Sequence, residues 1–173
     1  FDLEKLLALN ADHIKAAPAA RLVEPLAPFL REKGVAIAGD PKIERVIATL
    51  NARSKTLQEM AQNALFYYQE EIVYEEDAAR KHLTAEALVP LRSLTARLEA
   101  LEDYSEPSLE AAFKTVAEET GLKLGKIAQP VRVALSGRTA SPGIFEITAI
   151  IGKERVRARL RKAISYIEKR GLA

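Results

Sequence analysis

Apolar residues recur every three or four positions through most of this chain, the spacing that gathers them on one face of an α-helix. Leu3, Leu6, Leu7, Asn10 and Ile14 predict a short helix over residues 1 to 16. Leu22, Val23, Leu26, Phe29 and Leu30 predict a second, opening near Pro18 and stopped by Gly34, with Pro25 and Pro28 forcing a kink or two shorter pieces. Asp40 as N-cap with Pro41 after it predicts a third start, continued by Ile43, Val46, Ile47 and Leu50. The polar run Asn51 to Thr56 predicts a turn, and a further helix runs on through Leu57, Met60, Leu65 and Phe66. Thr84 is placed to cap a helix carrying Leu88, Leu91, Leu94, Leu98 and Leu101, and Ser108 to cap one carrying Leu109, Ala112, Phe113 and Val116. The fold class expected is all-α: a helical bundle of two small subdomains, 1–82 and 83–173, joined near residues 78 to 84.

The stretch Gly121 to Thr148 is the most informative. Ile127, Ala128, Val131, Ala134 and Leu135 share one helix face from Leu124 onward, with Arg132 beside it, and Ser136, Gly137 and Arg138 end the helix. Pro130 lies within the pattern; a helix beginning near Lys126 tolerates it, and an earlier start predicts a kink. Ser141 stands where an N-cap belongs and Pro142 at the first helical position, so a second helix is predicted with open backbone donors at its N-terminus. Arg132, Arg138, Ser141 and Ile144 lie close to that end. After Gly152, Val156, Leu160, Ala163, Ile164 and Ile167 form a narrow apolar stripe, with Arg155, Arg157, Arg159, Arg161 and Lys162 on other faces.

Charge changes this picture. From Lys126 to the end there are 11 Lys/Arg against 3 Asp/Glu, whereas the remainder holds 15 against 21. A basic end on an acidic body fits a local polyanion-binding surface; it equally fits a solvated C-terminal helix whose cations suit its dipole. The aromatic group Phe66, Tyr67, Tyr68 and Tyr74 is followed by the acidic run Glu70, Glu71, Glu75, Glu76 and Asp77, so it reads as packing rather than as a base-stacking platform. There are no cysteines, which excludes thiolate zinc sites and cysteine nucleophiles. His13 and His82 are far apart, and no metal site is expected. No nucleophile with its base, phosphate-cradling loop or paired carboxylates stands out, so no catalytic residue is assigned. No apolar run approaches the roughly 20 residues that span a bilayer, so no membrane partner and a cytoplasmic location are expected. The chain opens at Phe1 within an amphipathic pattern, which suggests a piece of something longer.

LKLGKIAQPVRVALSGRTASPGIFEI, continuing into IIGKERVRARLRKAI, resembles the C-terminal anticodon-binding region of bacterial glutamyl-tRNA synthetase. FDLEKLLALNADHI is similar to the segment that follows the catalytic half in that family, although a tryptophan commonly sits where this chain has Ala8; NARSKTLQEM resembles the middle portion. The likeness spans nearly the whole chain. It implies recognition of the anticodon loop of glutamate tRNA, with 1–82 as connecting helix plus first anticodon-binding subdomain and 83–173 as the second. It maps first-base contacts onto Ser141 and Ile144, a pyrimidine-recognising arginine onto Arg132, and third-base discrimination onto Arg53 or Lys55, without deciding between those two. Arg138, Lys153 and Arg157 are candidate RNA-backbone contacts. The parent protein would be an ATP-dependent glutamate–tRNA ligase, with ATP and Mg²⁺ confined to a catalytic domain absent from this chain. The fragment itself is expected to be non-catalytic and cofactor-free. Two other readings use the same cations: a helical protein-interaction module with an acidic partner, and a non-specific RNA-binding module.

Overall fold

The computed structural model describes residues 2–39 and 41–171. Among them are ten α-helices and two short 3₁₀ turns, and no strand, as the periodicity predicts. The chain separates into two compact units, Phe1–Gln69 and Glu70–Ala173. Residues 70–82 therefore group with the second unit, earlier than the join expected at 78 to 84.

The first unit contains α1 (Leu3–Ala16), α2 (Ala19–Glu32), α3 (Ile43–Leu50) and α4 (Leu57–Tyr68). Helices α2, α3 and α4 pack together around Leu26, Leu30, Val46, Ile47, Met60 and Tyr67, all fully buried. Such burial stabilises by roughly 25 cal/mol for each Å² of apolar surface removed from water. Helix α2 runs through Pro25 and Pro28 as one element, so of the two alternatives expected there the pair of shorter pieces is not formed. Both prolines lie on its exposed face, where water can serve the carbonyls that lose an N–H partner. The expected cap at Asp40 falls outside the described residues; α3 opens after Lys42, beyond Pro41. Phe66 stacks on Tyr67 at 4.2 Å between ring centroids, so this aromatic pair is core.

The second unit contains α5 (Glu76–His82), α6 (Leu88–Ala100), α7 (Glu106–Thr120), α8 (Leu124–Ser136), α9 (Ile144–Ile151) and α10 (Lys153–Gly171). Helix α10 packs on α6, α8 and α9, and α7 on α6, α8 and α9. Phe113, Leu109, Ile127, Leu135 and Leu160 fill the space between them. Two predicted caps shift. Thr84 precedes a 3₁₀ turn, Ala85–Ala87, instead of opening α6 directly. Helix α7 is preceded by Ser105, and Ser108 lies inside it, because the Asp103 carboxylate gathers the Ser105 N–H and both serine hydroxyls. Helix α8 starts at Leu124, so Pro130 is well inside it, on the buried side.

Candidate nucleic-acid interface

The turn between α8 and α9 holds the candidate base-reading residues. Helix α8 ends at Gly137, in the left-handed region at φ +78°, ψ 0°. A Cβ there would lie 2.3 Å from the Val73 carbonyl oxygen, so only glycine allows this close approach. Gly137 also accepts a hydrogen bond from the Glu75 N–H at 2.9 Å. The end of α8 is thereby pinned to the segment before α5. Ser136 closes the turn from inside: its hydroxyl donates to the Arg132 carbonyl at 2.7 Å and accepts from the Arg138 N–H at 3.2 Å.

Arg132 reaches across this turn. Its Nη1 donates to the Ser141 hydroxyl, to the Pro142 carbonyl at 2.8 Å and more weakly to the Ser141 carbonyl at 3.4 Å. The Ser141 hydroxyl in turn donates to the Pro142 carbonyl at 2.8 Å. Ser141 therefore does not cap α9, and Pro142 is not its first helical residue. The helix opens at Ile144 after Gly143, with no side-chain cap. The arginine, nine positions back, has taken the hydroxyl the cap would have used. Arg132 and Ser141 are partly exposed and adjacent, whereas Ile144 retains only 7% of its exposure and packs inward.

Arg53 and Lys55 lie in the first unit, on the turn between α3 and α4, and both are exposed. Local bonds fix that turn. Buried Ser54 donates to the Leu50 carbonyl at 2.9 Å, the Thr56 hydroxyl caps Glu59, and the Lys55 N–H donates to the Glu59 carboxylate at 2.7 Å. Neither cationic side chain has an ion-pair partner among the described residues.

The candidate backbone contacts have partners within their unit. Arg138 pairs with Glu75 at 3.5 Å, Arg157 with Glu154 at 2.5 Å, and Lys153 donates to the Leu101 carbonyl at 2.7 Å. Along α10, Arg155 faces Glu70 at 3.8 Å, Arg161 faces Glu99 at 2.7 Å and Lys162 faces Glu71 at 3.5 Å. The acidic run and the basic helix neutralise one another. Residues 70–173 hold 17 Lys/Arg and 16 Asp/Glu, and residues 1–69 hold 9 and 8, so each unit is nearly neutral overall and the acidic and basic stretches offset one another inside the second.

Arg159, expected on a face other than the apolar stripe, is 3% exposed and donates to the Leu135 carbonyl at 2.7 Å, at the C-terminal end of α8. Burial, with Arg155 nearby, lowers its pKa to about 10, against the opposing pull of Glu70 and Tyr74. Its spacing from Val156 and Ala163 put it at the edge of the apolar stripe, a signal the sequence did carry. Ser136 is legible in the sequence as part of the helix end, but not as the group that bonds both the Arg132 carbonyl and the Arg138 N–H. No group of His, Asp and Glu residues among those described could hold a metal ion, and no described helix is long and apolar enough to cross a membrane.

The anticodon binding domain family matches residues 21–164. A glutamate–tRNA ligase from Geobacter sulfurreducens is 49% identical over 168 residues, which are 97% of this chain and 36% of that protein. One from Desulfosudis oleivorans is 47% identical over 169 residues, 98% of this chain and 36% of its own length. The crystal structure of a glutamate tRNA ligase from Elizabethkingia meningosepticum in complex with its amino acid superposes with a TM-score of 0.87 at 24% identity, over 96% of this chain and 33% of that one, and shows the same fold. The chain spans 36% of the length of these curated relatives. With most of its length matched, and with an all-helical fold shared with a solved relative, the chain belongs to the anticodon binding domain family.

Proposed function

We propose that this chain recognises the anticodon loop of glutamate tRNA, as the anticodon-binding part of a cytoplasmic glutamate–tRNA ligase whose catalytic domain supplies the ATP- and Mg²⁺-dependent chemistry. The observation that carries it is the half-open Arg132–Ser141–Pro142 turn in a chain of this family. Loop bases are unstacked and show their Watson–Crick edges, which hydrogen-bonding groups can read. A guanidinium has five donors in a fixed plane, and here the plane is oriented by the turn before any RNA arrives. A pyrimidine carbonyl seated beside Ser141 would share the Arg132 and Ser141 groups. Ile144, being buried, acts by setting the first turn of α9 and not by covering a base in this conformation. Arg53 or Lys55 reads the third base from the first unit. Arg138 and Arg157 reach phosphates only by giving up carboxylate partners, and Lys153 only by leaving its carbonyl.

The test is a binding titration at fixed moderate salt of this chain against the anticodon stem-loop of glutamate tRNA and single-base anticodon variants, repeated with Arg132→Ala. Base readout predicts that the wild type separates cognate from variant loops by about 1 to 3 kcal/mol and that Arg132→Ala narrows the gap. Equal binding to all loops by the wild type would refute it in favour of non-specific attachment.

A further inference from the structure

A second concave site lies on the same helix. A cavity of about 530 Å³ opens between the α5–α6 connection and the first turns of α8, within the usual size range for ligand sites. Lys81, His82, Lys123, Lys126, Gln129 and the single carboxylate Glu86 line it. Among the described residues of the second unit, only Lys81, Lys123, Lys126 and Lys169 are cations engaged by no hydrogen bond, ion pair or ring contact, and three of these four meet here. Elsewhere among the described residues of the unit, every Lys and Arg side chain except Lys169 meets an acceptor. Here they converge on open space.

The cavity also receives the N-terminus of α8. Lys123 is its N-cap and makes no side-chain cap, and no acidic residue occupies the first turn. Lysines at this end oppose the helix dipole, which favours an anion there. Gly125 leaves the backbone open at the second helical position; a Cβ would meet nothing within 4 Å, so packing does not require glycine. Gln129, one turn on, has its Oε1 shut from solvent without a hydrogen-bond partner. Gly125, Gln129 and Arg132 stand at i, i+4 and i+7, on one face of α8, so the cavity and the Arg132 turn lie along a single line about 10 Å long. His82 senses the same field: burial, then Lys81 and Lys126, lower its pKa, while Glu86 is the one negative group on the wall.

We propose that this cavity is a phosphate-binding pocket that seats a backbone phosphodiester of the RNA whose loop bases meet the Arg132 turn. The RNA assignment rests on the function proposed above; the phosphate chemistry rests on the cavity alone. Lysine suits the task, since it meets phosphate as a compact point charge without demanding a fixed orientation.

Two arms test it on the full chain, each with Lys123→Gln/Lys126→Gln beside the wild type. In the first, inorganic phosphate is titrated against chloride of matched ionic strength while NMR follows the Gly125 amide and the His82 ring. Saturable shifts with phosphate only, a rise in the His82 pKa, and loss of both in the double variant are expected. Shifts equal in chloride, or unchanged in the variant, overturn the pocket. In the second arm, anticodon stem-loops are bound across a salt series. The double variant should lose about three- to tenfold in affinity, equally for every anticodon, and its log K against log salt slope should flatten by about 0.7 per lost phosphate contact. An unchanged slope overturns the RNA assignment. If the wild type binds no stem-loop, the anticodon reading fails; saturable phosphate binding in that case leaves a pocket for free phosphate, and the RNA assignment falls with it.

Discussion

Gly137→Ala should be among the most damaging single-methyl additions to the second unit. The new Cβ would sit 2.3 Å from the Val73 carbonyl oxygen and 3.2 Å from Ile72 Cγ2, so the segment before α5 must retreat by about 1 Å to restore ordinary contact. Three terms add. The left-handed backbone costs alanine about 1 kcal/mol; overpacking against backbone costs about 1 to 3; and the bond from the Glu75 N–H to the Gly137 carbonyl, 2.9 Å long, weakens by up to about 1. Lower entropy of the unfolded chain returns about 0.4 to 1 kcal/mol. The net loss is about 1 to 5 kcal/mol. Gly121→Ala is the control, because Gly121 has the same left-handed backbone at φ +67° but nothing within 4 Å of a Cβ, so the backbone cost less the same entropy return leaves a loss under about 0.6 kcal/mol. Urea unfolding, with NMR assigning the transition to residues 70–171, reads the difference. With an m value of about 2 kcal/mol per M, the midpoint should fall by about 0.5 to 2.5 M for Gly137→Ala and under about 0.3 M for Gly121→Ala. Equal losses at the two glycines would refute the close-approach argument.

Thr49→Val should cost about 1 to 2 kcal/mol in the first unit only, since it removes both the bond to the Val46 carbonyl and the 2.8 Å contact with the Tyr67 hydroxyl; Thr49→Ser should restore most of it in the same unfolding assay. Leu30→Ala, at a fully buried site, should cost about 2 to 5 kcal/mol, whereas Leu6→Ala, at 48% exposure, should cost under about 1, and comparison of their unfolding midpoints checks this. Burial, with Glu44 adding, pushes the Tyr68 phenol up to about 12; burial, with Tyr166 adding and Arg159 opposing, does the same for Tyr74; burial also raises Tyr104. Because these folded values lie above the ordinary 10.0, their contribution to stability is full below that pH and is lost as pH rises through about 12. The desolvated Arg159, lowered to about 10, works in the opposite sense over the same interval, but three phenols outnumber it. Ultraviolet titration alongside circular dichroism should show late phenol ionisation accompanied by loss of helix; early ionisation of all five tyrosines with helix intact would contradict it.

What the sequence alone determined about this protein is what depends on neighbours along the chain. Helical periodicity is a local property, so the all-helical class, the stop at Gly34, the turn at 51 to 56 and the apolar stripe of α10 were legible. The residues of the anticodon-binding resemblance were legible too, as a word in the sequence. Tertiary structure decided whatever depends on competition between distant groups. Ser141 looks like a cap until Arg132, nine residues away, takes its hydroxyl. The basic terminal helix looks like a bare cationic surface until the acidic run from Glu70 is folded against it. Arg159 looks solvated until the end of α8 supplies a carbonyl inside the unit. Conversely, Lys81 lies more than forty residues before Lys123 and Lys126, and only the packing of α5 on α8 gathers them at one cavity. Backbone conformation follows from local sterics, but a polar side chain binds whichever partner folding brings nearest, and that partner is set by the fold.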